Sequence, residues 1–197
     1  IEQTTSADDR KDMKVIGNSL PRYNYNFGIS ADWYGIDFSV LFQGIGKQNW
    51  YPGTESSMFW GPYTRPYASF IPSDFMSQVW SEENTDAYFP RPRGYVALNN
   101  NRELAVVNNK YLQNLAYCRL KNLSIGYTLP DKWLSKIGFE KIRIYFSGEN
   151  LLTFTKLHSD YIDPEQASAS NSWKTSRSDA SIYPWSKTYS FGVDITF

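Results

Sequence analysis

Hydrophobic and polar residues alternate most clearly over the last nine residues of the chain. The hydrophobic positions are Tyr189, Phe191, Val193, Ile195 and Phe197, and a polar residue or glycine separates each from the next. Alternation with a period of two predicts a β-strand with one apolar face. Aromatic residues at both ends of that face, with aliphatic residues between them, are typical of a strand that crosses lipid. We interpret this segment as the closing, lipid-facing strand of an outer-membrane barrel, although an edge strand of a soluble sandwich alternates in the same way.

The same alternation predicts four more long strands upstream. The predicted strands lie at about 22–33, 36–45, 116–129, 141–155 and 187–197. Tyr34-Gly35 separates the first two strands and predicts a tight hairpin turn. In the third strand the phase of the alternation changes near Lys121-Asn122, which predicts a β-bulge. Each strand has about the length that spans a bilayer when it is tilted.

Short and long connections alternate between these strands. The Tyr34-Gly35 turn and the segment 130–141, which is predicted to contain a helical turn, are short, whereas the loops at about 46–115 and 156–186 are long. Outer-membrane barrels have short periplasmic turns and long outer loops. The pattern therefore predicts that residues 21–197 form part of a transmembrane antiparallel β-barrel with a periplasmic C-terminus, and that residues 1–20 form a loop leading into it. Because five strands cannot close a barrel, the other strands are expected from upstream sequence or another chain.

Composition narrows the possible functions. The 197 residues contain 20 basic and 20 acidic side chains, so there is no cationic excess for binding nucleic acid. No apolar run is long enough for a membrane-spanning helix. With one cysteine and one histidine, the chain lacks the clusters that bind zinc, and we predict neither a metal site nor a cofactor. The chain is interpreted as the C-terminal part of a longer protein.

Several motifs resemble the C-terminal barrel of SusC/RagA-type TonB-dependent transporters. In the last three strands they are YCRLKNLSIGYTLP, WLSKIGFEKIRIYFSGENLLTFT, DYIDPE and YPWSKTYSFGVDITF, and upstream they are KVIGNSLPRYNYNFG, YGIDFSVLFQGIG and WSEENTDAYFPR. They follow the order found in the family and cover almost the whole chain from about residue 9. A structural or secretion-associated outer-membrane barrel without active transport is the alternative.

The resemblance implies a barrel of about 22 strands with an N-terminal plug, in the outer membrane of a Gram-negative bacterium. It also implies import of oligosaccharides or peptides with energy from the TonB complex, which would act through the plug. The implied partners are a SusD-like surface lipoprotein, the upstream part of the same barrel, outer-membrane lipid and the substrate. Asp8, Asp9 and Asp12 lie in a segment that lacks the glycine-spaced acidic loop of the family, so no calcium site is expected.

The first long loop is rich in aromatic residues, which are candidate contacts for a partner or substrate. They are Trp50, Tyr51, Trp60, Tyr63 and Tyr67, with Phe59 among them. Flat rings stack on sugars or anchor a protein partner at a small entropy cost. The alternatives are packing of the loop against itself, contact with the lipoprotein and contact with substrate. A loop of this length needs a core of its own, which favours packing.

No catalytic residues are predicted, and the chain is not expected to be an enzyme. His158 lies two residues from Asp160, but no activated nucleophile accompanies them, and we expect a solvated histidine. Asp163-Pro164 is expected to form a turn. In the final strand, the aromatic face that ends at Phe197 resembles the signal read by the barrel assembly machinery. On the opposite faces of their strands, the polar positions expected to face the lumen are Asp37, Gln43, Ser124, Asp194 and Thr196.

Overall fold

A five-stranded antiparallel sheet organises the molecule, with the strands in chain order. The computed structural model describes residues 14–54, 56–64, 71–93, 104–135, 138–170 and 183–197. The long strands are β1 (Arg22–Trp33), β2 (Ile36–Lys47), β5 (Tyr117–Thr128), β6 (Lys141–Thr155) and β7 (Thr188–Thr196). This all-β, antiparallel fold class was predicted from the alternation and is confirmed. The sheet is open, so β1 and β7 each have one neighbour among the described residues.

The hairpin between β1 and β2 turns at Tyr34 and Gly35, which both have positive φ angles of 48° and 84°. Positive φ angles at both residues of a two-residue hairpin loop are typical of a type I′ turn, whose backbone twist matches that of the flanking strands. A Cβ atom at residue 35 would lie 2.8 Å from the carbonyl oxygen of Thr128. Glycine is therefore required at this position both for its backbone conformation and for its lack of a side chain.

The predicted bulge is present in β5. Leu41 of β2 lies opposite Asn122, whereas the next residue, Phe42, lies opposite Leu120. Lys121 is therefore the extra residue on β5, and the register with β6 shifts at the same place. Leu120 before the bulge and Leu123 after it therefore lie on the same face of the sheet, although an odd number of positions separates them in the sequence.

The short connection between β5 and β6 contains helix α2, at Asp131–Leu134. Leu134 is buried, whereas Trp133 is exposed. Gly138 has a φ angle of 76°, the conformation that commonly follows the end of a helix. This agrees with the predicted helical turn, of which Ile137 lies outside the described residues.

The opposite end of the sheet carries small elements that build a separate core. They are β3 (Asn49–Trp50), β4 (Gln113–Asn114), α1 (Ser57–Trp60), α3 (Pro164–Ser170) and single 3-10 turns at Gly61–Tyr63 and Phe75–Gln78. β3 and β4 pair with each other. The buried hydrophobic cluster lies here, and among the described residues none of its members belongs to the five long strands.

Candidate functional site

One face of the sheet is apolar and largely exposed. Register brings Phe38, Ile125, Phe146 and Phe191 side by side across four strands. The five predicted lipid-facing residues of the final strand lie on this face or continue it, with exposed fractions of 61% for Tyr189, 83% for Phe191, 56% for Val193, 47% for Ile195 and 81% for Phe197. A contiguous exposed apolar face of this kind marks contact with another protein or with a membrane.

The other face of the sheet is polar and carries an ion-pair network near the short connections. Arg143 of β6 donates to both carboxylate oxygens of Asp37 on β2, at 2.8 and 2.6 Å, and to Asp194 of β7 at 3.2 Å. Strand β5 lies between β2 and β6, and its residue at the crossing is Gly126. A Cβ atom there would lie 2.4 Å from Asp37 and 2.6 Å from Arg143, so glycine makes room for the ion pair.

A second charged cluster lies at the end of the polar face that carries the long connections. It consists of Arg119 and Lys121 on β5 with Asp163 and Glu165 in the second long connection, and we refer to it as the Arg119 cluster. Asp163 Oδ1 also accepts hydrogen bonds from the backbone N–H groups of Glu165 and Gln166, at 2.9 and 3.3 Å. Asp163 thus caps the start of α3, with Pro164 as the first helical residue.

The long connections after β2 and after β6, which we call the outer loops, pack around a dense aromatic core. Trp60 contacts Phe59, Phe89 and Tyr111 with ring centroids 4.7 to 6.2 Å apart. Its indole N–H donates to the carbonyl oxygen of Gly53 at 3.1 Å, so the polar atom of this buried ring is satisfied. Leu157, Ile162 and Ala167 from the second connection belong to the same cluster. The two outer loops therefore share one core.

Buried tyrosine hydroxyls bind backbone oxygens inside this body. Tyr51 donates to the carbonyl oxygen of Leu104 at 2.6 Å, and Tyr63 donates to that of Pro90. Burial raises the pKa of both tyrosines, and it raises the pKa of Tyr111 to about 12. These phenols stay neutral near pH 7 and serve as hydrogen-bond donors.

The predicted partner contacts occupy different places in this body. Trp50, Trp60 and Tyr63 lie in its interior, each at most 3% exposed, and Tyr51 is half-buried. Tyr67 lies outside the described residues. Packing of the loop is thus directly visible for the first three side chains. Contact with a partner or substrate stays a prediction, and Tyr51 is the described candidate with exposed surface.

His158 is exposed to solvent, as its polar sequence context predicted, and it also contacts the first long loop. Its ring stacks on Tyr88 at 3.7 Å between centroids, and Nε2 lies 2.7 Å from Gln78 Oε1. Burial lowers the pKa of His158, while the nearby Asp74 and Asp160 oppose that effect. The side chain stays exposed to solvent as expected, and the first long loop adds a stacking ring and an amide partner that the sequence did not predict.

Sequence reasoning also missed the contacts that Asp163, Arg119 and Arg143 make in the fold. Asp163 was expected only to form a turn, but it caps α3 and pairs with Arg119. Arg143 received no role, although Asp37 and Asp194 were placed on the polar face. The D-P-E order at 163–165 is an available signal, since an aspartate before proline is typical of a helix start. The partners across strands have no comparable local signal.

Within the described ranges, no group of three or more histidine, cysteine, aspartate or glutamate side chains could hold a metal ion. In the same part of the chain, no helix has the length and apolarity needed to cross a membrane.

A sheet with one exposed apolar face and one charged face, and with the described parts of both long connections at one end, is the arrangement expected of part of an outer-membrane β-barrel. Comparisons with known proteins show which barrel proteins the chain is similar to. The chain is 31% identical over 192 residues to TonB-dependent receptor P3 of Formosa agariphila and 26% identical over 194 residues to TonB-dependent receptor P26 of the same organism. Each match covers 94% of this chain but only 17% and 18% of the receptors.

Solved structures give the same result for the fold. The RagAB peptide importer matches with a TM-score of 0.54 and 20% identity in its open-open state, and with 0.57 and 22% in its closed-closed state. Each match covers 98% of this chain and 19% of the importer chain. No protein-family model matches. The resemblance to SusC/RagA-type TonB-dependent transporters is thereby confirmed over nearly the whole chain.

Proposed function

We propose that the chain is the C-terminal barrel segment of a TonB-dependent outer-membrane importer of oligosaccharides or peptides. The observation that carries the proposal is the likeness of nearly the whole chain to TonB-dependent receptors and to an importer. The relatives are named as receptors and importers, which supports transport rather than catalysis. The chain spans less than a fifth of their length, so the activity belongs to the whole protein.

In this proposal the apolar face meets outer-membrane lipid and the polar face lines the lumen. The exposed row of Phe191, Val193 and Ile195 suits hydrocarbon, whereas a lumen tolerates the Arg143 ion pairs. The short connections and the C-terminus then lie on the periplasmic side, and the outer loops lie at the cell surface. The free edges of β1 and β7 pair with upstream strands of the same protein, because unpaired backbone groups are costly in lipid.

The proposed partner at the outer face is a SusD-like surface lipoprotein, as the family resemblance implies. The body formed by the two outer loops is the part of this chain available for that contact. Energy comes from the TonB complex through a plug that lies upstream. The proposed substrates are oligosaccharides or peptides. The names of the receptors give no substrate, and the RagAB importer is named for peptides.

The test begins with the native full-length protein, extracted from outer membranes in mild detergent. Mass spectrometry is expected to find peptides of this chain together with upstream barrel, plug and lipoprotein sequence. Cells are then grown on defined oligosaccharides or peptides with and without an intact TonB system. Uptake that requires both the protein and TonB supports the importer. A barrel whose loss leaves uptake unchanged points to the structural alternative, and a free soluble chain refutes the barrel.

A further inference from the structure

Arg119 joins the sheet to the second long connection. It lies on the polar face near the outer end of β5, between Gln43 of β2 and Thr153 of β6. Its guanidinium donates through Nε to Thr153 Oγ1 at 2.9 Å, through Nη1 to Glu165 Oε2 at 2.8 Å and through Nη2 to Asp163 Oδ2 at 2.7 Å. One buried side chain therefore bonds to the barrel wall and to α3 at the same time.

The Arg119 cluster is balanced in charge and satisfied from within. Lys121 Nζ lies 2.9 Å from the second oxygen of Glu165, so two cations face two carboxylates. The side chains of Arg119 and Asp163 are 3% and 5% exposed. Asp163 divides its oxygens between the guanidinium and the first turn of α3. Each charge of the cluster is thus paired with an opposite charge on another segment of the chain, a geometry that suits attachment of one segment to another.

Both described ends of the second connection reach this cluster. The backbone N–H of Trp185 donates to Asp163 Oδ2 at 3.4 Å, and Lys121 Nζ lies 5.2 Å from the centre of the Trp185 ring. On its other side, the connection places Ile162 and Ala167 in the aromatic core of the first outer loop. The cluster is thus the ionic contact between the polar face and a body that contains both outer loops.

We propose that Arg119 is a positioning residue whose ion pairs with Asp163 and Glu165 hold the two outer loops as one body against the polar face. The proposal rests on the proposed function only where it states that this face lines the lumen, so that the body covers part of the outer mouth. Without the arginine, the buried Asp163 carboxylate has lost its main cation. Water must then reach it, which favours separation of α3 from the sheet.

The experiment measures how often α3 leaves the core in the full-length protein in native outer membranes. Ala167 is 2% exposed in that core, so a cysteine there reacts with a membrane-impermeant maleimide only when the body opens. The variant is Ala167→Cys with the native Cys118 changed to serine. Adding Arg119→Met is expected to raise the labelling rate at least about tenfold, since an unpaired buried charge must be hydrated. An unchanged labelling rate overturns the proposal.

Arg143→Met is the matched control, because it removes an arginine with two ion pairs from the same face but far from α3 in the register. Its labelling rate is expected to stay at the wild-type value, and an equal rise in both variants overturns the proposal. If Arg119→Met fails to assemble, Asp163→Asn replaces it, since asparagine still caps α3 but loses the ion pair. Arg119→Lys is expected to give a labelling rate between those of the wild type and Arg119→Met, because lysine keeps the charge but not the planar guanidinium. If the protein is not an importer, no variant will show specific uptake, but the difference in labelling rate between the Arg119→Met and Arg143→Met variants will remain.

Discussion

The sheet and the outer loops place similar hydrophobic residues in opposite environments. In the final strand Phe191 is 83% exposed, whereas Trp60 and Tyr63 in the first outer loop are fully buried. The loops bury their rings against one another in a core of their own. The sheet buries few of its rings and leaves a whole face without protein cover. The loops are therefore folded by the hydrophobic effect in water, whereas in the proposed barrel the apolar face of the sheet would be covered by lipid.

Polar groups follow the same division. In the loops, tyrosine hydroxyls and the Trp60 indole bind backbone oxygens within a dry interior. In the sheet, charges such as Arg143 and Asp37 lie together on the face away from the apolar surface. A residue's effect on stability should thus depend on which of the two regions contains it. Substitutions that affect one region and spare the other test this separation.

The largest effect is expected for Trp60→Ala. Removing a buried tryptophan costs about 3–5 kcal/mol through lost burial and the cavity that remains. The outer loops should become sensitive to protease added to intact cells, while the barrel still assembles. Met76→Ala is the control, because Met76 is exposed in the same loop. Normal protease resistance in the Trp60 variant, or loss of the barrel, would contradict the separation of the two regions.

Phe191→Arg should act on the sheet alone. A charge on the lipid face near the bilayer midplane costs about 2–4 kcal/mol, falling towards zero at the interfaces. We expect less heat-modifiable, folded barrel in outer membranes, with the aromatic core of any assembled protein unchanged. Ser190→Arg is the matched control because residue 190 lies next in sequence on the polar face. Equal assembly of the two variants would show that the apolar face does not meet lipid.

Deletion of Phe197 tests whether the chain end is an assembly signal. The Phe197 ring packs against Phe139 with centroids 5.2 Å apart, so its loss also removes a small contact. Phe139→Ala removes that contact and keeps the terminal aromatic residue. Slower membrane assembly of the deletion, measured by pulse-chase, with normal assembly of the Phe139 variant supports a signal. Equal slowing of both variants would assign the effect to packing.

The two regions also differed in how far the sequence predicted them. Alternation placed each long strand within two residues of its observed bounds, and the change of phase located the bulge at Lys121. A strand carries its pattern locally because each residue's face follows from its parity. Residues 48–116 have no such period, so the sequence predicted that this loop needs a core but not which rings meet in it.

The candidate site was predictable only where its chemistry is local. Asp37 and Asp194 could be placed on the polar face, yet their common partner Arg143 could not be named. The ion pair joins residues 106 positions apart across an intervening strand, and it needs the absence of a side chain at Gly126. Arg119 and Asp163, 44 positions apart, meet for a similar reason. Contacts of this kind follow from register, which local alternation alone does not determine.

The smallest effect is expected from pH, through His158 in the outer-loop body. Burial lowers the pKa of His158 below its ordinary value, so folding favours the neutral ring. The stability that this provides is present above the unfolded pKa of about 6.5. It is lost as the pH falls through the lower pKa of the folded state. Asp74 and Asp160 reduce the effect because both favour the protonated ring.

Protease resistance of the outer loops should therefore decrease modestly from pH 8 to pH 5, whereas heat-modifiability of the barrel should not change over that range. His158→Phe is the control, because phenylalanine can stack on Tyr88 but does not titrate. Its loops should lose less resistance over the same range. An equal loss in both proteins would assign the pH dependence to the carboxylates. A change in the barrel itself would mean that the sheet and the loop body do not unfold independently.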